Sequence, residues 1–459
     1  MTGDRPKGKT VTAAGRSATV GPDAARTARR QPLADRYARV RAATERLASP
    51  LTPEDCQAQS MTEASPVKWH LAHTTWFFET FVLEPHLAGY EPYHPTYSYL
   101  HNSYYNAVGD RIARDERGLM TRPTLDETLA YRGGIDGAVR RLLADADADA
   151  EGRAIVEPVI ELGLQHEQQH QELILTDVKH LLSRNPLRPV YRPRPEDEAG
   201  SVGELVFIPF DGGVHEVGHD EADGVGGFTY DNEGPRHRVF LEPFGIADRP
   251  VTNGEFIAFI AGGGYERPEL WLDAGWATVR AEGWRAPLYW EAREGRWWQF
   301  TLGGMRPVAE DEPVTHLSYF EADAYARWAG KRLPTEFEWE AASRSIPEEG
   351  IAGNFVEAER FHPAPLREAE PSAGSGATPR GMFGDGWEWT SSHYSPYPGY
   401  RAAAGGLGEY NGKFMCNQFV LRGGSCATPI SHIRHAYRNF WPPQTRFQFT
   451  ALRLAEDRS

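Results

Sequence analysis

The stretch Leu162-Gly163-Leu164-Gln165-His166-Glu167-Gln168-Gln169-His170-Gln171-Glu172 decides how this chain is read. At 3.6 residues per turn, positions four apart stack on one face of a helix, so His166 and His170 stand one above the other. The apolar residues around them, including Val156, Ile160, Leu164, Ile174, Val178 and Leu182, recur at helical spacing. That phase puts both imidazoles near the apolar side of the helix. A pair of neutral imidazoles held in this way is half of a metal site. The plainer alternative is two core histidines satisfied by hydrogen bonds.

A second segment, running from Ser65-Pro66 through Trp69-His70-Leu71-Ala72-His73 to Trp76-Phe77-Phe78-Glu79, strengthens the metal reading. Ser65 reads as an N-cap and Pro66 as the first helical position. His70 and His73 are three apart, share a face and are flanked by Trp69, Ala72, Trp76, Phe77 and Phe81. One of the two, joined to His166 and His170, would give three nitrogen ligands with coordination positions left open. Ligand type alone admits zinc, copper or iron. Spacing does not tell which of His70 and His73 turns inward.

Outward from these segments, residues 34–47, 66–87, 124–144 and 154–183 read as long helices, with a further helix start at Thr52-Pro53-Glu54-Asp55. Residues 32–184 are therefore expected to form an antiparallel four-helix bundle with the metal site in its core. The connection over 90–122 is long and aromatic, carrying Asn102-Ser103-Tyr104-Tyr105-Asn106 and then Arg111, Arg114, Arg117 and Arg122. Long irregular connections inside a compact domain are usually functional or disordered, and this one is too aromatic to be disordered.

A proline-rich stretch over 185–200 reads as a linker. From 201 to 459 the texture changes to glycine- and tryptophan-rich sequence with short strands, as at 207–213 and 238–241, and short helices over 253–261, 318–329 and 335–343. The expected fold class is α+β. Residues 1–31, rich in Thr, Ala, Gly and Arg and without an apolar secretion segment, read as a disordered tail. With 459 residues and 40% hydrophobic content the chain can bury a sizeable core, and two domains are the natural expectation. A net charge of −15 argues against nucleic acid as a partner, and no apolar run reaches the roughly 18–20 residues of a membrane span. Three cysteines, an odd number in a long chain, make no disulfide framework and point to a reducing, cytoplasmic setting.

Several runs carry a family resemblance. Asp231-Asn232-Glu233-Gly234-Pro235, Pro250-Val251-Thr252-Asn253-Gly254-Glu255-Phe256, Lys331 to Glu340 (KRLPTEFEWE), Gly386-Trp387-Glu388-Trp389-Thr390 and Leu421-Arg422-Gly423-Gly424-Ser425 resemble the formylglycine-generating-enzyme/sulfatase-modifying fold, a C-type-lectin-like relative. The first half resembles the DinB-like four-helix bundle. The fusion, with Leu71-Ala72-His73 and the HEQQH of His166 to His170, resembles the iron-dependent sulfoxide synthases of ergothioneine biosynthesis (EgtB-like) over roughly residues 32–456.

That resemblance implies Fe(II) held by His73, His166 and His170. It implies use of O2 to join a thiol sulfur to imidazole C2 of hercynine, leaving a sulfoxide. By matching position, Gln169 would hydrogen-bond the substrate imidazole, and Tyr104 or Tyr105 would supply a proton or hydrogen bond to the reacting oxygen. Asn439, Phe440 and Trp441 would line the substrate site, where aromatic faces can hold a quaternary ammonium at roughly 0.5–2 kcal/mol. Arg114 and Arg117 are candidates for the donor's carboxylate. A formylglycine-generating activity is not expected, because the stretch His435-Ala436-Tyr437-Arg438 lacks the required cysteine.

Cysteine is the expected donor over γ-glutamylcysteine. Trp441-Pro442-Pro443 follows Asn439-Phe440 with no carboxylate until Glu456, and the run from Gly408 to Asn417 matches the cysteine-using branch. A selenoneine synthase of the same family, a DinB-type metal-dependent thiol transferase and a lectin-like binding module with a structural metal are the alternatives.

Overall fold

The computed structural model describes residues 19–21, 31–146, 150–194, 200, 202–219, 227–365 and 378–458. Of the expected tail, 1–18 and 22–30 lie outside the described residues, as do 195–199 of the expected linker. Val20 pairs with Gly353 in an isolated antiparallel bridge.

The first half is a bundle of four helices, α1 (Leu33–Ala48), α2 (Val67–Phe78), α3 (Leu125–Ala146) and α4 (Ala150–Arg184). Their apolar faces bury Tyr37, Val40, Phe78, Ile135, Val139, Ile160 and Leu164 together. Both ends of α2 depart from the sequence reading. Ser65 does not cap the helix: its N–H donates to Asp177 Oδ2 (2.8 Å) and its hydroxyl accepts from Arg117 Nη1 (2.9 Å). At the other end the helix widens into a π turn, Glu79–Leu83. Glu79 is buried there, and its carboxylate accepts from the Tyr90 hydroxyl (2.7 Å), the Tyr93 N–H (2.6 Å) and the Tyr131 hydroxyl. These long-range bonds leave no trace in the periodicity.

The second half combines four small sheets with short helices. Strands β1 (Phe207–Phe210), β4 (Phe244–Ala247) and β12 (Ala455–Asp457) form one sheet, and β2 (Gly213–Val217) pairs with β3 (His237–Leu241). A meander is made by β5 (Trp290–Arg293), β6 (Arg296–Thr301) and β7 (Gly304–Pro307). The fourth sheet, in order β10-β9-β8-β11, contains β8 (Trp387–His393), β9 (Phe419–Arg422), β10 (Asn439–Trp441) and β11 (Thr450–Ala451). The short helices Asn253–Ala261, Tyr319–Trp328 and Glu336–Ser343 each start with a reciprocal capping box, on Thr252/Glu255, Ser318/Glu321 and Thr335/Glu338. Buried ion pairs brace this irregular unit, among them Arg422–Glu340 (2.5 Å), Arg438–Glu336 (2.8 Å) and Arg453–Glu388 (2.7 Å).

The halves meet along α4. Its Gln165, Gln168, Glu172, Thr176 and Lys179 recur at three- and four-residue spacing and so form one stripe. Every member takes a partner from the second half: Gln165 from His432 (2.6 Å), Gln168 from Ser431 (2.6 Å), Thr176 from Gln448 (3.3 Å) and Lys179 from His316 (2.6 Å). Glu172 takes three, described below. Beside this stripe, Leu71, Ile174 and Val178 share an apolar cluster with Phe300, Leu302 and Phe449. The core is thus continuous across the joint. Among the described residues no helix is long and apolar enough to cross a membrane.

Candidate metal centre and inter-domain cavity

His73 on α2 and His166 and His170 on α4 are all buried, and their ligating atoms lie within 4.8 Å of one another. Gly163 is what lets the two helices come this close. A Cβ there would sit 2.5 Å from the Phe78 ring and 3.1 Å from Phe77. Hydrogen bonds at Nδ1 leave the Nε2 of His73 and of His170 facing inward. His73 Nδ1–H donates to the His101 carbonyl (2.5 Å), leaving Nε2 at 3.2 Å from His166 Nε2. His170 Nδ1 pairs with His70 Nδ1 at 2.8 Å, leaving its Nε2. Of the two histidines on α2, His73 therefore joins the group. His70 stands behind His170, bonded through Nε2 to Asp177 Oδ2 (2.9 Å).

Burial is the largest cause of the low basicity of all three rings. It brings His166 down to about 3 and holds His73 and His170 well below the usual imidazole range, with neighbouring imidazoles adding to each. Neutral imidazole is the form that ligates a metal. Three converging nitrogen donors, without a fourth His, Cys, Asp or Glu in the group among the described residues, fit an ion that keeps open positions. The donor set fits iron, zinc or copper.

A cavity of about 1170 Å³ opens over His166 and His170 between the two halves. One wall is cationic. Arg111, Arg114 and Arg117 line it, and none has a carboxylate within ion-pair reach among the described residues: they bond Asn106, the Glu63 carbonyl and Ser65. Burial, then the charges of Arg114 and Arg111, brings Arg117 down to about 9. Its guanidinium lies 3.5 Å above the Trp69 ring, which in turn stacks on His73 at 4.5 Å. The cationic wall is thus built onto one of the three converging histidines.

The opposite wall comes from the second half. Asn439, Phe440 and Trp441 line it from β10, with Phe440 stacked on Tyr394 at 4.0 Å and the Trp441 indole N–H buried without a partner among the described residues. Gln169 lies between the walls. Its Nε2 donates to the Tyr437 hydroxyl (2.8 Å), and its Oε1 accepts from the Tyr410 hydroxyl. Tyr104 lines the cavity, packed against Tyr410 (6.3 Å) and Phe414 (5.2 Å), whereas Tyr105 is buried behind it against Trp76 (5.7 Å).

Sequence reasoning did not single out Tyr410. Its ring lies 5.7 Å from that of His166, and burial pushes its phenol well above the usual range, so it stays protonated. The run around it is latched onto the aromatic connection of the bundle: Glu409 accepts from the Asn106 (3.1 Å) and Ala107 (2.7 Å) N–H groups, and Lys413 reaches the Tyr104 carbonyl. Two flanking charges in an otherwise uncharged glycine-rich run were the available signal.

Residues 192–458 match the sulfatase-modifying factor enzyme 1-like domain family, and residues 36–174 match the DinB superfamily. The hercynine oxygenase of Mycolicibacterium thermoresistibile is 34% identical, with 86% of this chain and 87% of that protein covered. The hercynine oxygenase of Mycobacterium tuberculosis is 33% identical, covering 93% of this chain and 98% of its own. The formylglycine-generating enzyme of Streptomyces coelicolor is 32% identical over 37% of this chain and 64% of its own length.

Proposed function

The chain belongs to the hercynine oxygenase family, and from that premise we infer that its inter-domain cavity is where hercynine and a thiol are joined. The activity is that of a sulfoxide synthase of ergothioneine biosynthesis. The observation that carries this reading is the convergence of three imidazole nitrogens beneath a cavity with one cationic and one aromatic wall. We assign His73, His166 and His170 to Fe(II). Bound there, the ion supplies O2 activation and a position for the thiol sulfur.

The side chains divide the remaining work. Gln169, fixed by Tyr410 and Tyr437, orients the hercynine imidazole through the hydrogen-bonding capacity those two phenols leave over. Phe440 and Trp441 face the trimethylammonium, and Asn439 borders them. Arg114 and Arg117 take the carboxylate of the thiol donor. Tyr410 holds the transferable proton, with Tyr104 closing the wall beside it and Tyr105 packing behind. The three free thiols, Cys56, Cys416 and Cys426, accord with a cytoplasmic setting.

Cysteine is the donor we assign. The run Asn439 to Pro443 along that wall supplies no carboxylate to pair with a further ammonium, and burying such a charge unpaired costs more than the roughly 1–3 kcal/mol of a neutral polar group. The test is a competition of cysteine, γ-glutamylcysteine and a selenosugar at equal concentrations, with hercynine, O2 and the Fe(II)-loaded chain. The cysteine sulfoxide conjugate is expected to dominate. A dominant γ-glutamyl or selenium product would overturn the donor, and no C–S product at all would overturn the function. Tyr410→Phe should retain Fe(II) and hercynine binding while losing sulfoxide turnover by at least about 100-fold. Unchanged turnover would remove Tyr410 from the chemistry.

A further inference from the structure

His170 is the member of the histidine group whose second nitrogen meets another imidazole, and that imidazole meets a carboxylate. Asp177 Oδ2 lies 2.9 Å from His70 Nε2, and His70 Nδ1 lies 2.8 Å from His170 Nδ1. All three side chains are buried, Asp177 and His70 at 6% and 2% exposure. The Asp177 carboxylate also accepts the Ser65 N–H at 2.8 Å, which holds it in place. Asp177 and His70 lie outside the ligand group and are not used in the assignments above.

The donor and acceptor roles follow in order. A carboxylate only accepts, so His70 Nε2 carries the hydrogen and donates to Asp177. His70 Nδ1 is then a lone pair, and the hydrogen between the two rings belongs to His170 Nδ1. That leaves His170 Nε2 as the lone pair, on the side of His73 and His166. Reversing any one bond places a hydrogen on His170 Nε2, which removes it as a ligand. We propose that Asp177 and His70 form a hydrogen-bond relay that fixes the tautomer and ring orientation of His170 for the metal. Both are positioning residues, acting through His170.

His73 is served differently, by a single backbone carbonyl, and His166 Nδ1 has no partner among the described residues. The relay therefore gives His170 the strongest orienting acceptor of the three. Outer hydrogen-bond partners of metal-bound histidines typically contribute 10–100-fold in metal affinity. The proposal rests on the assignment of the three histidines to a metal, and its test separates the two.

Imidazole 15N spectra of the metal-free wild type should show His70 with hydrogen on Nε2 and His170 with hydrogen on Nδ1. His170 carrying its hydrogen on Nε2 overturns the relay without any variant. Anaerobic Fe(II) titration against a competing chelator is then run on the full chain, on His70→Phe, on Asp177→Leu and on the double variant. Each single change should weaken Fe(II) binding roughly 10–100-fold, and Asp177→Leu should cost nothing further once His70 is Phe. If Asp177 merely held Ser65 and the start of α2, its cost would be the same in both backgrounds, and that result overturns the relay. Wild-type affinity in His70→Phe does so too. A wild type that takes up no Fe(II) overturns the metal assignment itself.

Discussion

Glu167 and Glu172 are both buried on α4, five positions apart, and their surroundings treat them in opposite ways. Glu167 faces the bundle and accepts from Arg41 (2.8 Å), Thr44 (2.5 Å) and Arg132. Burial raises its carboxyl, but the Arg132 and Arg41 charges outweigh it and bring the group down to about 2. Glu172 faces the second half and accepts only from neutral donors, Trp387 Nε1 (2.7 Å), Ser425 (2.6 Å) and Thr428 (2.8 Å). Burial prevails there and pushes its carboxyl up. The bundle holds its histidine-bearing helix by charge. At Glu172 the joint with the second half is keyed by neutral donors, each bond worth about 1 kcal/mol net.

Breaking the charged side should cost most. Glu167→Gln leaves Arg41 and Arg132 buried against an amide, and denaturant unfolding should show a loss of roughly 3–5 kcal/mol. A loss below about 1 kcal/mol would erase the contrast.

The same pair sets opposite pH dependences. Glu167 has a depressed folded pKa, so its contribution is complete above the unfolded value near 4.3. It is lost as pH falls through about 2, on a scale of roughly 3 kcal/mol. Glu172 has a raised folded pKa, so its contribution is present at low pH and lost as pH rises through that value. Unfolding free energy should therefore fall less steeply between about pH 4.5 and 2 in Glu167→Gln than in the wild type. An unchanged slope would place the titration elsewhere.

A steric change at the helix crossing comes next. Gly163→Ala drives a Cβ into the Phe78 ring and should cost roughly 1–3 kcal/mol while weakening Fe(II) binding, because it spreads His73 from His166. Full iron affinity in that variant would show that the crossing is more compliant than its contacts imply. The smallest effect is expected from Glu172→Gln. Its hydroxyl partners can rotate to accept from the amide, and no buried charge is left behind. Stability should stay within about 1 kcal/mol of wild type, and a loss as large as that of Glu167→Gln would make the two sides equivalent.

This contrast also marks how much of the molecule was legible in its sequence. The four helices and the histidine pair could be read because a 3.6-residue period is local, and the capping boxes at Thr335 and Thr52 because they close within three residues. The inward turn of His73 was not fixed by spacing, since His70 shares its face. It is decided by His101 and Asp177, which come from elsewhere in the chain. The π turn at Glu79 and the loss of Ser65 as a cap have the same origin in distant partners. Tyr410 meets Gln169 across 241 positions of sequence, through an irregular run with no period to read. The stripe Gln165, Gln168, Glu172, Thr176 escaped the sequence reading, because only the second half explains why a buried helix face is polar.

On the proposed assignment, iron is held by the bundle through His73, beneath a cavity that the second half completes. Metal content after anaerobic Fe(II) loading and desalting tests it most directly, in the full chain and in His73→Ala. One iron retained by the wild type and none by His73→Ala is the expected result. Iron retained by His73→Ala at the wild-type level would contradict the account.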